Sequence, residues 1–156
     1  MPVALVLSAG FGTRLRPLSW LRAKPALPVA GTSLIARILH GLASHGVHEA
    51  IVNLHHRSET VAAVVGDGAA FGVRVRYSWE QPLLGSGGAP ARAFSLLDGD
   101  ELLIVNGDTL TDIDLRALYS AHSASDALVT MAVIENPAPL RYGGVQLGRA
   151  SCRERV

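Results

Sequence analysis

The feature that most constrains this chain is an alternation. Short apolar runs rich in β-branched residues are separated by stretches with helical spacing, and the pattern repeats from residue 3 to residue 134. Val3–Leu7 is a continuous apolar run closed by Ala9-Gly10, the pattern of a strand buried on both faces. A helix is predicted after Thr32-Ser33, because Leu34, Ile35, Ile38, Leu39 and Leu42 fall on one face and His45-Gly46 supplies a stop. Residues 50–54 then read as a strand, Ser58–Val65 as a helix capped by Ser58, 73–79 as a strand and 89–97 as a helix. Residues 101–105 form another apolar strand stopped by Asn106-Gly107-Asp108, with a helix expected over 113–122 and a last strand over 127–134. Strands joined by helical crossovers predict an α/β, Rossmann-like three-layer sandwich with a mostly parallel sheet. Ligands of such folds bind beyond the carboxyl ends of the strands, so the loops at Gly10, Trp79 and Asn106 should share one rim.

Composition narrows the function classes. The 156 residues are 49% hydrophobic, enough for one real core. The formal charge is only +1, which argues against nucleic acid and anionic membranes as partners. Its distribution is less even: no acidic residue precedes Glu49, whereas Arg14, Arg16, Arg22, Lys24 and Arg37 do. That stretch suits a small polyanion such as a triphosphate, with a solvated Arg-rich surface as the competing reading. The lone Cys152 has no internal partner and no Cys/His spacing resembles a zinc site, so a reducing cytoplasm is the expected compartment. The opening apolar run is too short for a signal sequence or a membrane span.

The loop after the first strand is Gly10-Phe11-Gly12-Thr13-Arg14-Leu15. A dinucleotide fingerprint would place a third glycine at Leu15 and an acid about 20 positions later, and neither is present. Nothing matches a P-loop. The string continues as x-Pro17-Leu18-Ser19, with Lys24-Pro25 carrying the only lysine of the chain. In this extended form it resembles the signature of the nucleoside-diphosphate-sugar pyrophosphorylases, or sugar-1-phosphate nucleotidyltransferases, written G-x-G-T-R-L-x-P-L-T with Lys-Pro a few residues on. Ser8, Ser19 and Ala23 depart from it where Ala, Thr and Pro are common. The resemblance implies nucleotide contacts from Ala9, Gly10, Gly12 and Thr13, and catalytic roles for Arg14 and Lys24. It also implies a glycosyltransferase-A-like form of the α/β sandwich.

The chemistry agrees with those residue types. Attack by a sugar phosphate on the α-phosphorus of a nucleoside triphosphate brings two anions together, so positioning and charge neutralisation carry most of the catalysis. Arg14 offers a planar fork that can span a triphosphate, and Lys24 a compact charge that can sit between the reacting phosphates. The nucleophile is already an anion, so no general base is required.

Asp108 ends a buried strand at the same rim and suits Mg²⁺, which accepts a carboxylate together with phosphate oxygens and waters. Asn106-Gly107-Asp108 alone is more often a turn than a metal site, but together with the first motif it matches the family's N-G-D, which reverses that balance. Asp112 and Asp114 read better as caps of the following helix. Glu80-Gln81-Pro82-Leu83-Leu84-Gly85-Ser86-Gly87-Gly88-Ala89 resembles the family's E-x-P-L-G-T-A-G-A, which implies base contacts from Gln81, Gly85 and Gly88. Tyr142-Gly143 resembles the family's Y-G near the sugar. His55-His56 lack a third ligand and read as a polar strand end.

The resemblance covers residues 1–148, and 149–156 have no apolar periodicity. Members of the family are longer and take a second metal-binding aspartate from their later part, so the expectation is an N-terminal portion of the catalytic domain followed by an irregular, potentially artefactual tail. The expected substrates are an NTP and a sugar 1-phosphate, with mannose-1-phosphate guanylylation and uridylylation or thymidylylation of a related sugar all compatible. The family is compatible with a homo-oligomer of the full-length protein. A non-catalytic nucleotide-binding or regulatory domain is the alternative from another class.

Overall fold

A strand buried on both sides divides its side chains between two layers, and the first strand does so. In the computed structural model, which describes residues 1–97 and 99–138, β1 (Val3–Leu7) sends Ala4 and Val6 to one layer and Leu5 to the other. The elements that follow are α1 (Leu18–Leu21), β2 (Pro28–Val29), β3 (Thr32–Ser33), α2 (Leu34–Ser44), β4 (Glu49–Leu54), α3 (Ser58–Val65), β5 (Arg74–Trp79), α4 (Gly85–Phe94), β6 (Leu102–Asn106) and α5 (Leu115–Ser123). The main sheet has the order β5-β4-β1-β6 with every pairing parallel, while β2 and β3 make a separate antiparallel ribbon.

The larger core lies on one face. Ala4, Val6, Ala50, Val52 and Leu54 of the sheet meet Ile35, Leu39 and Leu42 of α2 and Val61 and Val65 of α3. The apolar stripe of α2 therefore does what its spacing predicts, and Ser33 Oγ caps it by accepting from the Ala36 amide at 3.3 Å. Burying a side chain the size of Leu39 contributes about 1.5–3 kcal/mol. On the opposite face Leu5 and Ile51 pack against Ala89 and Ala93 of α4, whose small side chains let the helix approach the sheet. The α/β sandwich with a parallel sheet expected from the alternation is the architecture found.

Several boundaries differ from expectation for physical reasons. Ser58 does not cap α3: Arg57 occupies that position in the left-handed region (φ 49°, ψ 39°) with no side-chain capping bond, and Ser58 is already helical. The fourth helix begins at Gly85, a turn earlier than Ala89, so the glycine run forms its first turn instead of a loop. The fifth begins at Leu115, where Asp114 accepts hydrogen bonds from the Arg116 and Ala117 amides at 2.9 and 3.1 Å. Those bonds hold its carboxyl below the ordinary range, the Ala117 bond contributing most.

The strand expected over 127–134 does not form. Leu128 and Ile134 are 98% and 85% exposed, and among the described residues no ladder engages this segment. An apolar pattern supplies propensity, but a strand also needs a partner edge. Residues 139–156, including Tyr142, Gly143 and the 149–156 tail, lie outside the described residues. Among the described residues no helix is long and apolar enough to cross a membrane.

Candidate functional site

The order β5-β4-β1-β6 leaves β1 by opposite sides: the chain runs outward through β4 and β5, then returns across β1 to form β6. Between the carboxyl ends of β1 and β6 the connecting loops diverge, which opens a crevice. A cleft of about 350 Å³ occupies this place. Ser8, Ala9, Gly10, Gly12, Thr13 and Arg14 line it from the segment that follows β1. The partly exposed Lys24 and Asp108 line it as well, with Gly85 contributed by the start of α4.

Local chemistry explains why the first loop takes this path. Gly12 has φ +60°, and a Cβ there would lie 3.2 Å from Ser19 Cβ and 3.4 Å from Lys24 Cβ. A glycine therefore allows the loop to close over the segment that carries Lys24. Single 3-10 turns at Thr13–Leu15 and Lys24–Ala26 complete the wrap. On the opposite side Gly107 donates its amide to Leu7 O at 2.9 Å. A Cβ at Gly107 would sit 2.5 Å from Ser8 Oγ and 2.6 Å from Leu7 O, so only glycine lets β6 end against β1.

That contact delivers Asp108 to Lys24. Their Oδ2 and Nζ are 2.6 Å apart, with the side chains 37% and 28% exposed. An ion pair this accessible to water contributes on the order of 0–1 kcal/mol, so either partner can exchange the other for a phosphate or a cation at small cost. Arg14 is exposed and has no hydrogen-bond or ion-pair partner among the described residues. Two other cations of the acid-free stretch are engaged by the protein itself. Arg37 donates to Val29 O and Ala30 O, and Arg16 lies over the Trp20 ring.

The structure thus brings Ala9, Gly10, Gly12, Thr13, Arg14, Lys24, Gly85 and Asp108 to one cleft. Gln81 is exposed and does not line it; nor does Gly88, which packs on Leu84. His55 and His56 make structural contacts instead of a ligand set. Their rings flank Phe11, with His55 Nδ1 at 2.9 Å from Glu80 O and His56 Nε2 at 2.8 Å from Ser19 O. Two further residues that line the cleft have no role assigned in a linear reading. Asn53 is marked there only as a polar residue near the end of a buried strand, and Glu80 only as the first residue of the segment that runs to Ala89.

One carboxylate at the rim fits Mg²⁺ in the way that ion is usually held, through one or two carboxylates with phosphate oxygens and waters filling the remaining positions. Among the described residues no group of three or more His, Cys, Asp or Glu could hold a metal alone.

Comparison with known proteins points the same way. The chain is 35% identical over 142 residues to the mannose-1-phosphate guanylyltransferase of Mycobacterium tuberculosis, which covers 91% of this chain and 40% of that protein. It is 39% identical over 137 residues to the N-acetylmuramate alpha-1-phosphate uridylyltransferase of Neisseria meningitidis, covering 86% and 59%. The structure of HddC from Yersinia pseudotuberculosis complexed with GMP-PN superposes with a TM-score of 0.70 at 26% identity, covering 81% of this chain and 55% of that one. The chain thus spans about 40–59% of the length of these relatives. The model of the nucleotidyl transferase family matches residues 3–156, which include the whole Gly10-to-Pro25 string and the Asn106-Gly107-Asp108 turn, and the chain belongs to that family.

Proposed function

We propose that the protein transfers a nucleotidyl group from an NTP to a sugar 1-phosphate and releases pyrophosphate. The observation that carries this reading is the meeting of Lys24 and Asp108, 84 residues apart in sequence and 2.6 Å apart in space, in a cleft lined by a glycine loop. A cation and a carboxylate at one rim, in the same cleft as a guanidinium without a partner among the described residues, suit a reaction whose difficulty is the approach of two phosphates. The relatives named for guanylyl and uridylyl transfer to sugar 1-phosphates support it.

In the reaction a phosphate oxygen of the sugar 1-phosphate forms a bond to the α-phosphorus. The bond from that phosphorus to the α–β bridging oxygen breaks, and pyrophosphate leaves with the electron pair. The amides of the Gly10-to-Thr13 turn face the phosphates, and Arg14 spans the triphosphate with its five donors. Lys24 leaves Asp108 to sit between the α-phosphoryl group and the incoming phosphate, and Asp108 becomes available to Mg²⁺. When bound, that ion would neutralise charge on the phosphate oxygens. Gly85 belongs to the part that meets the base, with Gln81 and Gly88, which lie outside the cleft lining, assigned to that part by the motif alone, and Tyr142 and Gly143 to the part that meets the sugar. Mannose 1-phosphate with GTP, or a related sugar phosphate with UTP or dTTP, are the candidate pairs.

The test is a pyrophosphate-release assay with each NTP, a panel of hexose 1-phosphates and Mg²⁺. Release that requires both substrates is the expected result. No release with any pair, or release without a sugar phosphate, would overturn the proposal.

A further inference from the structure

Asn53, the penultimate residue of β4, and Glu80, the residue after β5, are only 3% and 4% exposed. Three hydrogen bonds in series run through them. The Ser8 amide donates to Asn53 Oδ1 at 2.6 Å, Asn53 Nδ2 donates to Glu80 Oε1 at 2.8 Å, and the Leu84 amide donates to Glu80 Oε2 at 2.9 Å. Ser8 opens the loop after β1 and Leu84 precedes the glycine turn of α4, so the series joins two segments that both line the cleft.

We infer that Asn53 and Glu80 are a positioning pair that holds the phosphate loop and the base-side glycine turn in register for one nucleotide. The inference rests on the nucleotide-binding reading above. Hydrogen bonds fix direction as well as distance, and a buried carboxylate is costly to keep unless its acceptors are used, as both oxygens are here. An NTP would touch both loops at once, so an error in their spacing falls on the ligand. A displacement of ~1 Å at such a site is enough to cost about 100-fold in rate.

Donor and acceptor bookkeeping makes the pair testable by exchange. In Glu80→Gln the amide has one oxygen to offer to two donors, so either the Leu84 amide or Asn53 Nδ2 faces an NH₂ group. Turning the Asn53 amide over only moves the mismatch to Ser8. In Asn53→Asp two carboxylates face each other. The double variant Asn53→Asp with Glu80→Gln restores every bond. The carboxylate then at position 53 accepts from the Ser8 amide and from the side-chain amide then at position 80, whose oxygen accepts from the Leu84 amide. Charge is also conserved.

The experiment is calorimetric titration of the 156-residue chain and its three variants with two probes. One is GTP or UTP, whichever the wild type binds more tightly; the other is inorganic tripolyphosphate, which can engage the phosphate loop alone. Each single variant should weaken nucleotide binding about tenfold or more, the scale of one buried donor left unpaired, while tripolyphosphate binding changes less than about twofold. The double variant should return nucleotide binding to within about threefold of wild type. Equal loss of both probes would mean a purely structural tie and would overturn the inference, as would singles that bind like wild type or a double variant without recovery. Should a single variant fail to fold, the double decides: folding with near-normal nucleotide binding supports the pair, and failure overturns it. A wild type that binds tripolyphosphate but neither nucleotide overturns the functional reading itself, which separates that failure from a failure of the pair alone.

Discussion

The cleft has two glycine-bearing walls, and they are held in different ways. The wall after β1 is wedged: Gly12 closes on Ser19 and Lys24, and Gly107 presses on Leu7 O and Ser8 Oγ from the neighbouring strand. The wall at the start of α4 is tethered: a Cβ on Gly85 or Gly87 would meet nothing within 4 Å, and Leu84 is tied to Glu80 by a hydrogen bond. Gly12 and Gly107 are demanded by the protein's own packing. Gly85 is demanded by its backbone, which lies at φ +70°, and Gly87 by neither. An added side chain should therefore damage folding at Gly12 or Gly107, whereas at Gly87 it should spare folding and be felt by a ligand bound beside this turn.

The largest effect tests the charges that the wedged wall carries. Arg14→Ala and Lys24→Ala should each lower turnover by roughly two to four orders of magnitude, the range for loss of one preorganised charge stabiliser. Their thermal unfolding should stay close to wild type, because Arg14 has no partner among the described residues and the Lys24 pair is water-exposed. Near-normal turnover in either would remove the chemical role of this wall.

Next in size is Gly107→Ala. Its Cβ meets a backbone carbonyl at 2.6 Å, so β6 must move, and urea unfolding should show a loss of about 1–3 kcal/mol. Adding Ser8→Ala should recover only part of this, because Leu7 O remains in the way. Full recovery would place the wedge at the hydroxyl instead of the backbone.

Gly87→Ala should do the reverse in the tethered wall. It lies within α4 in open space, so the alanine should be neutral or stabilising by up to about 0.5–1 kcal/mol while NTP binding weakens. Destabilisation with unchanged binding would erase the contrast between the walls.

The smallest effect lies outside both. The Asp114 carboxyl is held below its unfolded value by the Ala117 and Arg116 amides, so its contribution is complete above the unfolded carboxylate pKa, about 4, and is lost as pH falls through the folded value. Asp114→Asn keeps an acceptor but removes this titration. Its unfolding temperature should therefore fall less than that of wild type between neutral pH and the carboxylate range, with no change in ligand binding. An identical acid limb would assign the pH dependence to other groups.

Local spacing made the frame readable. The continuous run Val3–Leu7 coincides with β1, the stripe from Leu34 to Leu42 forms α2, and the βα alternation implies the parallel sheet that is found. Each of these follows from where apolar side chains must go relative to their immediate neighbours. The cleft-lining loop after β1 was legible for a different reason: Gly10, Gly12, Arg14 and Lys24 sit within fifteen consecutive residues, close enough for a linear pattern to be distinctive. Elements that depend on a partner were not legible. Residues 127–134 have a strand's pattern but are largely exposed and pair with no strand among the described residues, and the start of α4 reads as loop because four residues that include three glycines suggest flexibility when their Glu80 tether is out of view. Asn53 and Glu80 are 27 residues apart, and Lys24 and Asp108 are 84 apart. Periodicity arises within an element, whereas these meetings are set by how β1, β4, β5 and β6 align at their carboxyl ends, and only the packed sheet could bring their side chains within hydrogen-bonding distance.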